Sequence, residues 1–233
     1  ALSANTVDVS GAGIVYVSPT GSTTPLSTYT VLKRVTGSFS LADLSKFAMS
    51  TRGGNLSITG GGKEITLTAA SSAPASLGWK GNDGTNPSFW DIATTLNWNN
   101  GGADRFYTGD AVTFDDSAAS FSVSIQGASV SPGNMVFNNT TANPYNVSGS
   151  SIVGSGSLTK NNSGTVTFGN ALSHTGGITV NAGVLNLTSS SNTFTGSIVI
   201  TGGELGFSGS SIPGALNARP VTLSGGTITR TSN

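Results

Sequence analysis

A short motif recurs toward the C-terminus at nearly constant spacing, and that spacing constrains the fold more than any other feature. His174–Leu187 (HTGGITVNAGVLNL) returns as Phe194–Phe207 (FTGSIVITGGELGF), and a looser copy follows at Val221–Arg230 (VTLSGGTITR). The inner glycines fall at Gly183, Gly203 and Gly226, in steps of 20 and 23 residues. Apolar residues alternate within each copy: Ile178 and Val180 then Leu185 and Leu187, and Ile198 and Ile200 then Leu205 and Phe207. Alternation of period two marks strands, and a fixed step of about 20 residues marks the stacked coils of a solenoid.

A coil of two or three short strands cannot bury its apolar face alone, so it requires a like neighbour above and below. Stacked coils lie about 4.8 Å apart and pair through their backbones. The glycine between two strand pairs marks a corner, where positive φ or close backbone approach excludes a Cβ. Upstream, Leu158–Lys160 and Gly164–Phe168 fit the same template with an extra turn residue. Phe121, Val123 and Ile125, then Met135 and Phe137, then Tyr145 and Val147 continue the alternation in a less regular unit. The expectation is one all-β solenoid from about Ser120 to the last residue, with coils of roughly 20–23 residues.

Composition agrees with a thin core and a polar skin. Glycine is abundant, at 33 residues, while hydrophobic residues make up 36% and charged residues 9%. The formal net charge is zero, which leaves no basic field for nucleic acid and no polybasic patch for anionic lipid. Cysteine is absent, as in many bacterial extracellular proteins. No run of 18 or more apolar residues is present to cross a bilayer as a helix. The chain opens in a strand-like pattern without Met or a signal peptide and stops just after a repeat, which reads as a mature or excised piece of a longer protein.

Three segments are expected. Residues 1–75 form a strand-rich segment, with strands at Thr6–Val9, Gly13–Val17, Tyr29–Val35, Asn55–Thr59 and Glu64–Thr68. Ser38–Met49 holds the one plausible helical turn, with Leu41, Leu44 and Phe47 spaced three apart, and Ala69–Ser76 has a linker composition. Residues 76–119 carry an aromatic cluster that includes Trp79, Phe89, Trp90, Trp98, Phe106, Tyr107 and Phe114. Residues 120–233 carry the repeats.

Gly154–Lys160 (GSGSLTK), Gly164–Phe168 (GTVTF) and Thr175–Leu187 resemble the autotransporter-associated β-strand repeat of passenger regions in bacterial surface and secreted proteins. Trp79–Gly81, Phe89–Asp91, Asn97–Asn99 and Gly109–Asp116 (GDAVTFDD) resemble the segment that opens a new repeat block in long proteins of this type. Tyr29–Gly37 through Ile65–Leu67 resembles the segment that closes the preceding block. The resemblance covers most of the chain. It implies a right-handed parallel β-helix, export to the cell surface or the medium, and a structural or adhesive role. It brings no catalytic motif, and it extends to the passenger repeat rather than to a membrane barrel.

Candidate chemistry is sparse. Asp83, Asp91, Asp104, Asp110, Asp115 and Asp116 form the one acidic concentration, and from residue 117 onward the only carboxylate side chain is Glu204. Clustered carboxylates, alone or with calcium, serve polysaccharide lyases and hydrolases built on β-helices. Turn chemistry, with Asp bonding its own backbone beside Gly or Asn, is the favoured reading here. His174, the single histidine, takes the place that Phe194 holds in the next copy, so it reads as structural. Trp79, Trp90, Trp98 and Tyr107 are the candidates for stacking on a glycan or a partner, against a favoured reading in which they cover the open end of the core. A water-ordering face would require a regular threonine ladder. Thr165, Thr167, Thr179 and Thr222 do not keep register across all coils.

The chain therefore reads as a non-catalytic structural or adhesive segment of an exported bacterial surface or matrix protein. It needs no cofactor or metal, its partners are further copies of itself, surface glycans or other matrix proteins, and filaments could grow through open coil ends. The alternative is a carbohydrate-binding or carbohydrate-active β-helix that uses residues 79–116.

Overall fold

The computed structural model describes residues 15–17, 28–68, 73–208 and 219–231. The chain divides into two units, Ala1–Ala73 and Pro74–Asn233.

In the first unit, β2 (Thr28–Lys33), β4 (Asn55–Thr59) and β5 (Glu64–Thr68) form an antiparallel sheet in the order β2-β5-β4. Leu32, Phe39 and Ile65 make its core, flanked by Val31, Leu44, Phe47, Leu56 and Ile58. The helix expected within Ser38–Met49 is a single turn, α1 (Leu41–Leu44). Ser40 and Asp43 close it with a capping box in which each side chain accepts from the other residue's amide. Phe47 is not helical. It opens β3 (Phe47–Met49), which pairs in parallel with β1 (Val15–Val17). Leu44 and Phe47 thus reach the core from two different elements, while Leu41 stays exposed. The expected strand Thr6–Val9, the start of Gly13–Val17 and residues 69–72 of the expected linker lie outside the described residues.

The second unit is a parallel β-solenoid. One ladder contains β6 (Ser76–Trp79), β10 (Ala111–Phe114), β12 (Met135–Phe137), β14 (Leu158–Lys160), β16 (Ile178–Val180), β18 (Ile198–Ile200) and β20 (Val221–Leu223). The other is the seven-stranded sheet of β7 (Phe89–Trp90), β11 (Ser122–Ile125), β13 (Tyr145–Gly149), β15 (Thr165–Phe168), β17 (Val184–Leu187), β19 (Glu204–Ser208) and β21 (Thr227–Thr231). The ladders begin earlier than Ser120. Leu77 is already in register with Val112, and Trp90 with Ile125. Long insertions between these strands hide the coil period in the sequence, although the backbone pairing is the same.

Alternation sends one residue of each pair inward. Val166, Leu185 and Leu205 occupy one file in register, and all three are fully buried. Leu158, Ile178 and Ile198 form an equivalent buried file on the other ladder. The corner glycines serve two needs. Gly183 has φ 68°, which disfavours a side chain. Gly203 does not, but a Cβ there would lie 2.6 Å from Val180 Cγ1 and 2.8 Å from the Gly183 carbonyl oxygen, so crowding between coils excludes it.

A third side closes each coil with sparser pairing. Val130, Ile152 and Leu172 meet only as isolated bridges. Side-chain amides assist there: Asn170 donates to the Ser150 carbonyl at 3.0 Å, and the Leu172 amide donates to Asn192 Oδ1 at 2.9 Å.

The two ends of the solenoid differ. On the N-terminal side, β8 (Trp98–Asn99) pairs antiparallel with β6, and β9 (Ala103–Asp104) pairs antiparallel with β8. That hairpin covers the edge of the first rung. On the C-terminal side, Val221, Leu223 and Ile228 hold inward register positions, yet they are 38%, 54% and 37% exposed.

Candidate functional site

The aromatic segment was the sequence's best candidate for ligand contact, and its indoles are spent on the core. Trp79, Trp90 and Trp98 are 1%, 0% and 1% exposed, so none offers a ring face to a sugar. They pack edge to face: Trp79 on Trp98 at 5.0 Å, Trp90 on Trp98 at 5.4 Å, and Trp90 on Phe106 at 5.3 Å between ring centroids. Phe114 joins this cluster and stacks flat on Phe137 of the next coil, at 4.4 Å and 3°. Trp79 Nε1 donates to the Ser120 carbonyl at 2.8 Å. The group fills the first coil, where among the described residues β6 has β10 as its one parallel neighbour. Tyr107, the fourth candidate, is half-buried, and its amide donates to Asp110 at 2.8 Å.

The aspartates are committed to backbone. Asp83 accepts from the amides of Leu96, Asn86 and Thr85, and these bonds hold its carboxyl below the usual carboxylate range. Asp91 accepts from the Thr95 amide at 2.8 Å and from its hydroxyl at 3.1 Å. Asp104 accepts from the next amide, that of Arg105. Buried Asp110 ties the amides of Ala75 and Tyr107 together, both at 2.8 Å. Asp115 accepts from the Ser117 amide, while Asp116 reaches the next coil and accepts from the Thr140 amide at 2.9 Å. That amide, with Asn143, holds the Asp116 carboxyl low. These are Asx turns and coil-to-coil ties, in line with the favoured reading of the segment.

His174 lies at 1% exposure, stacked on Phe194 with centroids 6.0 Å apart and planes at 18°. The shared structural position read from the repeats is therefore real. The threonines divide between faces: Thr165 and Thr167 lie on the β15 ladder, and Thr179 and Thr222 on the β16 ladder. In register, Thr179 meets Val199, and Thr165 meets Val184 and then Glu204. The threonine files are therefore interrupted.

Two features escaped the sequence reading. The first is Lys160, fully buried at an inward position between Phe137 and Val180. Its ammonium donates to the Asn161 carbonyl and, at 2.8 Å, to that of Asn162, whose φ is 58°. Burial pulls its pKa down to about 8 from an ordinary 10.5. Leu-Thr-Lys alternates in, out, in, so the signal was available, but residue type argued against it. The second is a polar ladder at a corner. Asn181 Nδ2 donates to Asn161 Oδ1, and Thr201 Oγ1 donates to Asn181 Oδ1, both at 2.8 Å. One side chain per coil thereby continues the backbone ladder beyond the strands.

Residues 158–187 and 182–206 match a family model described as the Passenger-associated-transport-repeat, together about a fifth of the chain. No curated protein and no solved structure matches the chain. The repeat matches and the parallel β-solenoid fit an autotransporter passenger repeat protein.

Proposed function

We propose that this chain is a non-catalytic structural or adhesive segment of an exported bacterial surface or matrix protein. The carrying observation is the match of residues 158–206 to a passenger-associated transport repeat, on coils whose inward files are apolar except at Lys160. A passenger repeat suggests an exported or surface location. The role is mechanical: continuous backbone ladders make a stiff element, and its outward Thr, Asn and Ser residues offer neutral polar contact to glycans or to other chains. The division into a closing segment (1–75), an opening segment (76–119) and repeats (120–233) belongs to the same proposal. So does self-association, or contact with surface glycans or other matrix proteins.

The carbohydrate-active alternative has little support, since the indoles of residues 79–116 are buried and the carboxylates bind backbone amides. The test is a depolymerisation screen of the chain against acidic and neutral polysaccharides, with and without calcium. No product is expected. Product release that disappears in an Asp115→Asn/Asp116→Asn double variant would replace this reading with an enzyme.

A further inference from the structure

His174 combines three properties that none of the roles above uses. Its ring is buried, neither ring nitrogen makes a hydrogen bond among the described residues, and it stacks on Phe194. Phe194 in turn carries a guanidinium: Arg219 Cζ lies 4.4 Å from its ring centroid. One coil separates His174 from Phe194, and Arg219 belongs to the coil after that. Phe194 is a buried ring without nitrogens at the equivalent position of the next coil.

We infer that His174 is an acid-sensitive latch on the third side of the solenoid: its neutral ring completes the stack, and protonation loosens that side while the parallel ladders stay paired. A proton on His174 creates a buried cation with no carboxylate partner and only the Gly176 backbone to favour it, and Arg219 is already a cation one ring away. Among the described residues from 152 onward, the one carboxylate side chain is that of Glu204. Ile152 and Gly154 on the preceding coil are neutral, as are the strands β15, β16, β17 and β18. Lys160 is bound to carbonyls at the turn after β14, and Glu204 accepts from Thr229 at 2.5 Å.

Burial is the main cause that holds the His174 pKa below 6.5, and the Arg219 charge adds to it. The Gly176 backbone offsets part of this without meeting hydrogen-bond geometry at either nitrogen. The unfolded or opened chain therefore takes the proton first. Stability of the closed form is complete above 6.5 and falls as pH drops toward the lowered value. The loss concentrates where pairing is sparsest, at the isolated bridge of Ile152 with Leu172 and the amides of Thr175 and Thr195.

The experiment is residue-resolved amide exchange on the full chain and on His174→Phe, from neutral pH to about pH 4.5, with the imidazole titrated by NMR. The expected result is a loss of protection of about tenfold or more at Thr175 and Thr195 in the parent chain. Protection in β16 and β17 should persist, the variant should keep its protection throughout, and His174 should titrate below 6.5. An imidazole that titrates at or above 6.5, or equal loss of protection in His174→Phe, would overturn the latch.

Discussion

Single residues decide how much strain each coil tolerates. Leu185 sits fully buried between Val166 and Leu205, so Leu185→Ala leaves a cavity that coils above and below hold open. A loss of about 2–5 kcal/mol is expected in denaturant unfolding, and Leu185→Asp should be worse because its carboxylate has no partner. An unchanged midpoint for either variant would refute the inward assignment. Lys160 gives a signature opposite in chemistry to a paired surface lysine. Its folded pKa, about 8, lies below the ordinary 10.5, so the unfolded chain binds more protons in that interval and stability rises with pH. The gain between pH 8 and 10 is of order 1–3 kcal/mol. Burial raises the Tyr145 pKa above its ordinary 10.0, which reverses the slope only beyond that pH. Lys160→Met should flatten the rise between pH 8 and 10, as read by urea midpoints across that range.

Elements hold together here through what lies between the strands. The corner at Gly203 admits no Cβ because Val180 and the Gly183 carbonyl of the preceding coil pass too close, not because of its φ. Gly203→Ala should therefore destabilise by about 1–3 kcal/mol, while Gly101→Ala, with open space around it, meets only the penalty of a φ of 77°. Paired thermal melts of the two variants test this. If Gly203→Ala melts above Gly101→Ala, crowding is not the reason for that glycine. The Asn161–Asn181–Thr201 ladder is the polar counterpart. Its members bond to one another across coils, so each side chain registers its coil against the next.

At the scale of the second unit, coils contact only their neighbours, so stability is close to a sum of coil and interface terms. The two ends are unequal: an aromatic cluster and a hairpin cover one, and half-exposed Val221, Leu223 and Ile228 mark the other. Ending the chain after Ser208 removes β20 and β21 and should lower stability by roughly one interface without unfolding the rest. All three tryptophans lie in the first coil, so their emission should stay buried and blue-shifted in the shortened chain. A shift to solvent-exposed emission would mean that the solenoid folds as one indivisible unit.

The strand positions of the regular coils were legible in the sequence, because burial in a solenoid depends on local alternation and each coil repeats the last. Leu185 over Leu205 follows from that alone, as does the match of His174 to Phe194. Where bulky insertions replace the period, as between Leu77 and Val112, only the folded backbone reveals that the same register continues. The fate of the tryptophans was equally a tertiary matter. An aromatic cluster reads the same in sequence whether it faces a ligand or fills a core, and only the folded first coil, where β8 pairs antiparallel with β6, shows all three indoles turned inward. Lys160 marks the limit from the other side: its position followed from alternation, but its burial became tolerable only because the turn at Asn161 and Asn162 bends two carbonyls onto its ammonium.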